Sequence, residues 1–134
     1  MKFVLYLLLL CAAALCVERG QLQHIVLFKY KETTTQDQKF KMMKGLVNLK
    51  DRCTKPDGKK YILAASAGLQ NSGEKFDKGL EQGFVLTFSN SYDRDYFVGL
   101  NKTAPYDRVH QDYIKEVSQL VSDVLVFDFN VLLN

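Results

Sequence analysis

Four short segments rich in β-branched and aromatic residues carry apolar side chains on both faces, and this feature restricts the fold more than any other. The segments predicted as strands are His24–Tyr30, Tyr61–Leu69, Phe84–Phe88 and Val124–Phe129. Side chains alternate between the two faces of a strand, so Val26 and Phe28 point to one side of the first segment. Ile25 and Leu27 point to the other side. A strand that is apolar on both faces is buried on both faces, so the sheet needs a covering layer on each side.

Two helical stretches separate these strands. The first covers Thr35–Arg52 and begins with a capping box that Gln38 completes. The second is divided into Ser91–Gly99 and a longer part, Pro105–Val121, because proline suits the first turn of a helix. The order strand, helix, strand, strand, helix, strand predicts an α+β fold, the ferredoxin-like β-α-β-β-α-β unit. In this unit four antiparallel strands carry the helices on one face.

Helices on one face leave the other face of the sheet uncovered. Its apolar side chains exceed what a soluble monomer normally exposes, and the chain has no further element to cover them. The simplest solution is a second copy, sheet against sheet, in a two-fold homodimer. We expect Val26 to lie on this uncovered face, in the subunit contact. Two facing sheets would form a dimeric α/β barrel whose interior has room for a small ligand.

The first sixteen residues have the pattern of a secretory signal peptide. Lys2 precedes an apolar run that extends from Phe3 to Val17. This run is shorter than the roughly 20 residues that span a bilayer, and Ala14 and Cys16 supply the small residues of a cleavage site. We therefore predict a signal peptide at residues 1–16 and a mature domain at residues 17–134. The protein is expected to be secreted and extracellular, without stable membrane association; an uncleaved anchor is the alternative.

Secretion gives two further residues a possible role. Asn101 opens the sequon Asn101-Lys102-Thr103, which predicts N-glycosylation in a secreted eukaryotic protein. Cys53 is the one cysteine that remains after removal of the peptide. It cannot form a disulfide within the mature chain, so it is a free thiol, a bridge to another chain, or incidental.

Charge and motifs exclude several classes of partner. The chain has 18 Lys+Arg and 15 Asp+Glu, a net charge of +3, with no basic run that would neutralise several phosphates, so no nucleic-acid partner is expected. The two histidines and the single mature cysteine have no metal-ligand spacing. The sequence also contains no phosphate-binding loop or dinucleotide fingerprint. We expect neither a metal ion nor a cofactor.

Three motifs in this order resemble the stress-responsive dimeric α/β-barrel (Dabb) family. They are HIVLFKYKE at the first strand, GFVLTF at the third, and His110 followed by Asp128 in VLVFDF. The resemblance covers about His24 to Asn130 and implies a homodimer of ferredoxin-like units. Most members are described as stress-induced proteins without a defined reaction. One plant member, olivetolic acid cyclase, closes a linear polyketide by aldol chemistry.

The resemblance also implies a set of site residues. His110 matches the acid–base histidine of the cyclase, Asp128 the aspartate that orients it, and Tyr96 the catalytic tyrosine, although Tyr96 and His110 are further apart here. The residues expected to contact a ligand are His24, Val26, Phe28 and Tyr106. A histidine held by a carboxylate is a plausible general base, and a tyrosine could donate to a developing enolate oxygen. The structural alternative is that His110 packs against the sheet while Asp128 ties the helix to the strand.

Two functions of different classes follow. The favoured one is a secreted, non-enzymatic homodimer whose cavity binds a small apolar or aromatic molecule. The alternative is a polyketide cyclase-like acid–base enzyme that uses a His–Asp pair and no cofactor.

Overall fold

The computed structural model describes residues 17–100 and 105–133 of the 134-residue chain. The predicted signal peptide and the sequon residue Asn101 lie outside the described residues, so both stay predictions. The elements, in chain order, are β1 (Leu22–Tyr30), α1 (Gln36–Arg52), β2 (Ile62–Leu69), β3 (Gln82–Phe88), α2 (Ser91–Val98), α3 (Arg108–Val117) and β4 (Val121–Asn130). None of the helices in these two ranges is long and apolar enough to cross a membrane.

The strands form one antiparallel sheet with the order β2-β3-β1-β4, which confirms the ferredoxin-like prediction. β1 lies in the middle of the sheet between β3 and β4, and β4 is an edge strand. The register places Val26 of β1 opposite Phe84 of β3 and opposite Val126 of β4. Residues that lie opposite each other in antiparallel strands share a face, so these three side chains point to the same side of the sheet.

Helix α1 forms as the sequence predicts. The Thr35 side chain accepts a hydrogen bond from the backbone N–H of Gln38, and the Gln38 side chain accepts one from the N–H of Thr35. The two bonds satisfy two of the N–H groups that a helix N-terminus leaves unpaired. Met42, Leu46 and Leu49 form the buried face of the helix.

The second helical region is divided as expected, but its second part is shorter than predicted. Pro105 lies before the helix, because Asp107 is the N-cap: its side chain accepts from the backbone N–H groups of Val109 and His110. The helix ends at Val117, well before Val121, because Val121 already begins β4. The Pro105–Val121 boundaries were therefore wrong at both ends.

The placement of Val26 on the uncovered face was also wrong. Val26 is only 8% exposed and belongs to the core between the sheet and the helices, together with Phe84 and Leu86. Both alternating sets of β1 are apolar, so the pattern does not distinguish the face that meets the helices. Ile25 and Leu27 are the β1 residues that point away from the helices.

The face opposite the helices carries the unburied apolar surface that the sequence predicts. On β4 its apolar members are Leu125, Phe127 and Phe129, which are 42%, 59% and 42% exposed. In the β1–β4 register Phe127 lies opposite Ile25 and Leu125 opposite Leu27, and Phe129 continues the same face of β4. We refer to these five residues as the open face.

Candidate functional site

An apolar cleft of about 610 Å³ lies between helices α2 and α3 and strands β1 and β4. Its apolar walls include Val26, Phe28, Phe97, Ile114, Val124 and Val126. The cleft is on the helix side of the sheet within a single chain, whereas the sequence suggested a cavity between two facing sheets. The physical reason is that α3 does not fully cover β4: Val124 and Val126 face the helix layer yet remain 43% and 56% exposed.

Strand register brings His24 and Asp128 together at the cleft. The two residues are directly opposite each other on β1 and β4, and both line the cleft. His24 Nδ1 lies 2.6 Å from Asp128 Oδ1. An ionised carboxylate only accepts hydrogen bonds, so Nδ1 carries the proton and Nε2 is left with a lone pair. A histidine held in this way is the usual arrangement of a general base.

Arg94 of α2 holds the second oxygen of the same carboxylate. Its Nη1 donates to Asp128 Oδ2, while its Nε donates to Asp95 Oδ1 at 2.8 Å. The Asp128 carboxylate is thus held through one oxygen by His24 of β1 and through the other by Arg94 of α2. Arg94 also lines the cleft, so one end of an otherwise apolar space is polar.

His110 reaches the same cleft from the first turn of α3. Its Nδ1 lies 2.7 Å from the backbone carbonyl oxygen of Phe97, and its ring stacks on the Phe97 ring with a centroid distance of 3.7 Å. A carbonyl oxygen can only accept, so His110 also carries its proton on Nδ1. Only 8% of His110 is exposed.

The predicted pairing of His110 with Asp128 was wrong. Asp128 pairs with His24, because the β1–β4 register places these two residues opposite each other. The Asp107 cap starts α3 so that His110 meets α2, where its ring nitrogen binds the Phe97 carbonyl. The catalytic roles of His110, Asp128 and Tyr96 stay predictions.

Burial controls the protonation of both histidines. It lowers the pKa of His24 below the ordinary 6.5, although the Asp128 carboxylate acts in the opposite direction. Burial also lowers the pKa of His110 to about 4, with the bond to the Phe97 carbonyl opposing the shift. Both imidazoles are therefore neutral at pH 7 and able to accept a proton or a hydrogen bond at Nε2.

The structure does not bring the two predicted tyrosines into the cleft. The hydroxyl of Tyr96 donates to the backbone oxygen of Thr54 at 3.0 Å, because the turn of α2 directs Phe97 rather than Tyr96 toward the sheet. Tyr106 is 41% exposed and lines a separate surface pocket with Thr54 and Arg108. Of the four residues predicted to contact a ligand, His24, Val26 and Phe28 line the cleft and Tyr106 does not.

The sequence did not point to two residues that shape the site, Asp107 and Arg94. Asp107, 2% exposed, both caps α3 and accepts a hydrogen bond from the hydroxyl of Tyr61 at 2.6 Å. An aspartate just before an amphipathic helix is a recognisable N-cap signal, so it could have been found. Arg94 had no such signal, since its partner Asp128 is distant in sequence and the contact depends on how α2 packs on the sheet.

Cys53 is buried and does not line the cleft. Burial raises the pKa of the Cys53 thiol to about 12, so it remains protonated. In the part of the chain that the structure describes, no group of three His, Cys, Asp or Glu side chains is placed to hold a metal ion.

Comparison with known families gives one match over most of the chain. The model of the Stress responsive A/B Barrel Domain family (Dabb) matches residues 22–131. None of the curated proteins compared with this chain matches its sequence.

Several solved structures share the fold at low sequence identity. A protein from Arabidopsis thaliana has a TM-score of 0.67 at 19% identity, covering 84% of this chain and 97% of its own. The hydroxynitrile lyase from Passiflora edulis has a TM-score of 0.67 at 19% identity, covering 85% and 95%. A dimeric ferredoxin-like protein of unknown function from Jannaschia has a TM-score of 0.65 at 19% identity, covering 84% and 100%.

Proposed function

Because the chain belongs to the stress-responsive A/B barrel domain family, we propose that it is a secreted homodimer whose cleft binds a small apolar or aromatic molecule. The observation that carries the proposal is the cleft itself. It is about 610 Å³ in volume, largely apolar, and polar at one end, where His24, Arg94 and Asp128 meet. Small-molecule sites commonly have this combination of apolar walls and a few fixed polar groups.

The open face supports the homodimer. Phe127 is 59% exposed at the middle of an apolar strip that runs along β4 and β1. A contiguous apolar patch on a soluble domain usually marks an interface. A two-fold contact between identical open faces would bury it, and the structural neighbour from Jannaschia is described as dimeric.

Secretion rests on the first sixteen residues. We propose cleavage before Val17 and a glycan on Asn101. Intact mass of the protein collected from the culture medium, before and after glycosidase treatment, tests both. A mass that includes residues 1–16 contradicts cleavage, and a mass that glycosidase leaves unchanged contradicts glycosylation.

Native mass spectrometry of protein from its own source tests the ligand proposal. We expect a dimer that carries a small-molecule adduct. Ile114 is 39% exposed and lines the cleft, so Ile114→Trp should fill the space without disturbing the core. The matched control, Ile114→Val, leaves the cleft open. The adduct should be lost in the tryptophan variant and kept in the valine variant; no adduct in any form, or equal adducts in both variants, would contradict the proposal.

A second candidate function follows from the His24–Asp128 pair. With its Nδ1 held 2.6 Å from a carboxylate, His24 can take a proton at Nε2 while Asp128 stabilises the imidazolium. Removal of a proton from carbon next to a carbonyl would start a cyclase-like aldol closure of a polyketide-like chain. Removal of a hydroxyl proton from a cyanohydrin would form the carbonyl as the C–CN bond breaks, and the departing cyanide would take the proton back.

Hydroxynitrile cleavage offers the simpler assay, and one structural neighbour is a hydroxynitrile lyase. With mandelonitrile as substrate, the acid–base function predicts benzaldehyde release that His24→Asn abolishes. Tyr106→Phe serves as the control, because Tyr106 lies outside the cleft. Benzaldehyde release no faster than the protein-free reaction rules out this activity and leaves the binding function.

A further inference from the structure

The two histidines of the cleft are oriented to accept hydrogen bonds from a ligand. Each histidine donates its Nδ1 proton to a protein group: His24 donates to the Asp128 carboxylate, and His110 donates to the Phe97 carbonyl. Each Nε2 is therefore an acceptor while the ring is neutral. In the described ranges, the side-chain hydrogen bond of each ring is made through Nδ1.

Three side chains that line the cleft and carry donors form hydrogen bonds within the protein. Arg94 donates to Asp128 and Asp95. The Gln111 amide donates to the Val98 carbonyl at 3.3 Å. The Ser118 hydroxyl donates to a backbone oxygen of its own helix at 3.0 Å.

The local charge also opposes an anion. Arg94 contributes one positive charge and is bound by two carboxylates, those of Asp95 and Asp128. The two histidines add no charge at neutral pH, because burial lowers the pKa of each. A carboxylate ligand would thus enter an apolar space beside an excess of negative charge, which costs free energy unless new partners form.

From this geometry we infer that the cleft selects neutral hydroxyl compounds, such as phenols or alcohols with an apolar body, whose O–H groups donate to Nε2 of His24 or His110. The inference rests on the proposed small-molecule function and specifies its ligand class. A methyl ether of the same shape cannot donate, and so would leave a partly buried acceptor unpaired. A carboxylate of the same shape cannot donate to Nε2 and would be repelled by the carboxylates of Asp95 and Asp128.

Three naphthalene derivatives of nearly equal size test the inference on the full mature dimer. They are 2-naphthol, 2-methoxynaphthalene and 2-naphthoate, and their fluorescence can be followed without indole interference because the chain has no Trp. At pH 7.5 we expect 2-naphthol to bind about tenfold more tightly than the ether, the effect of one unpaired buried acceptor. The carboxylate should bind more weakly still.

Histidine variants assign the selectivity to named atoms. His110→Phe keeps a ring to stack on Phe97 but removes the acceptor, and His24→Phe does the same on β1. At least one of them should reduce the preference for naphthol over the ether to about twofold or less. Tyr106→Phe, which removes a hydroxyl outside the cleft, should leave the preference unchanged.

The outcomes separate the inference from the proposal on which it rests. Equal affinity for naphthol and the ether, or tighter binding of naphthoate, overturns the inference while the small-molecule function stands. A preference that survives in both histidine variants also overturns it. Failure of all three compounds to bind overturns the aromatic-ligand proposal and the inference together. The wild-type comparison is decisive even if a histidine variant fails to fold.

Discussion

His24 and His110 approach one cleft from a strand and from a helix, and each is oriented by a bond at Nδ1. The bond partners differ: a carboxylate for His24 and a backbone carbonyl for His110. A carboxylate stabilises an imidazolium better than a carbonyl does, so His24 is the better general base of the two. His110 is held further by stacking on the Phe97 ring.

The buried His110 makes folding stability sensitive to acid. In the unfolded chain its pKa returns to about 6.5, whereas in the folded protein burial lowers the pKa to about 4. Between these values the unfolded state binds more protons, so stability falls as the pH drops through this window. Over the full window this residue should cost about 3 kcal/mol.

The test is urea unfolding of wild type and His110→Gln between pH 7 and pH 4. The other titrating groups, including His24, are present in both proteins, so the difference between the two curves reports chiefly on His110. We expect the unfolding free energy of wild type to fall more steeply with acid than that of the variant. Parallel curves for the two proteins would show that His110 is not protonated on unfolding.

At the scale of elements, the start of α3 is fixed by a buried carboxylate. The Asp107 carboxylate accepts hydrogen bonds from two backbone N–H groups of α3 through Oδ1. Its Oδ2 accepts a hydrogen bond from the hydroxyl of Tyr61. Tyr61 immediately precedes β2, the edge strand opposite β4. This contact therefore joins the helix that carries His110 to the β2 edge of the sheet. The cap therefore sets both the helix boundary and the position of His110 against α2.

Asp107→Ala should destabilise the protein by about 2–3 kcal/mol, because it removes a helix cap and leaves a buried tyrosine hydroxyl without its partner. Asp107→Asn is the matched control, since its carbonyl oxygen can still cap the helix. We expect the asparagine variant to lose less than half as much in chemical denaturation. Equal losses in the two variants would mean that charge, rather than capping, gives Asp107 its role.

The elements were more predictable than the site, for a physical reason. The strands and the Thr35–Gln38 capping box depend on neighbouring residues and could be predicted from local patterns. The His24–Asp128 pair depends on the register of β1 against β4, which no local pattern specifies. Val26 was misassigned for a related reason: both faces of β1 are apolar, so alternation alone does not show which face the helices cover.

At the scale of the whole molecule, one sheet separates two apolar surfaces with different roles. The helix side contains the core and the cleft, and the open side exposes Leu125, Phe127 and Phe129. A second copy on the open side would leave the cleft of each subunit accessible, because the cleft opens between the helices and β4. Dimerisation and ligand binding should therefore be separable by mutation.

Sedimentation velocity of the mature protein tests the homodimer most directly. Wild type should sediment as a dimer, and Phe127→Asp should sediment as a folded monomer, because it places a charge in the centre of the open face. Phe40→Asp is the matched control: Phe40 is also 59% exposed but lies on α1, so that variant should remain dimeric. A wild-type protein that sediments as a monomer at micromolar concentration, or a Phe127→Asp variant that remains dimeric, would contradict the account.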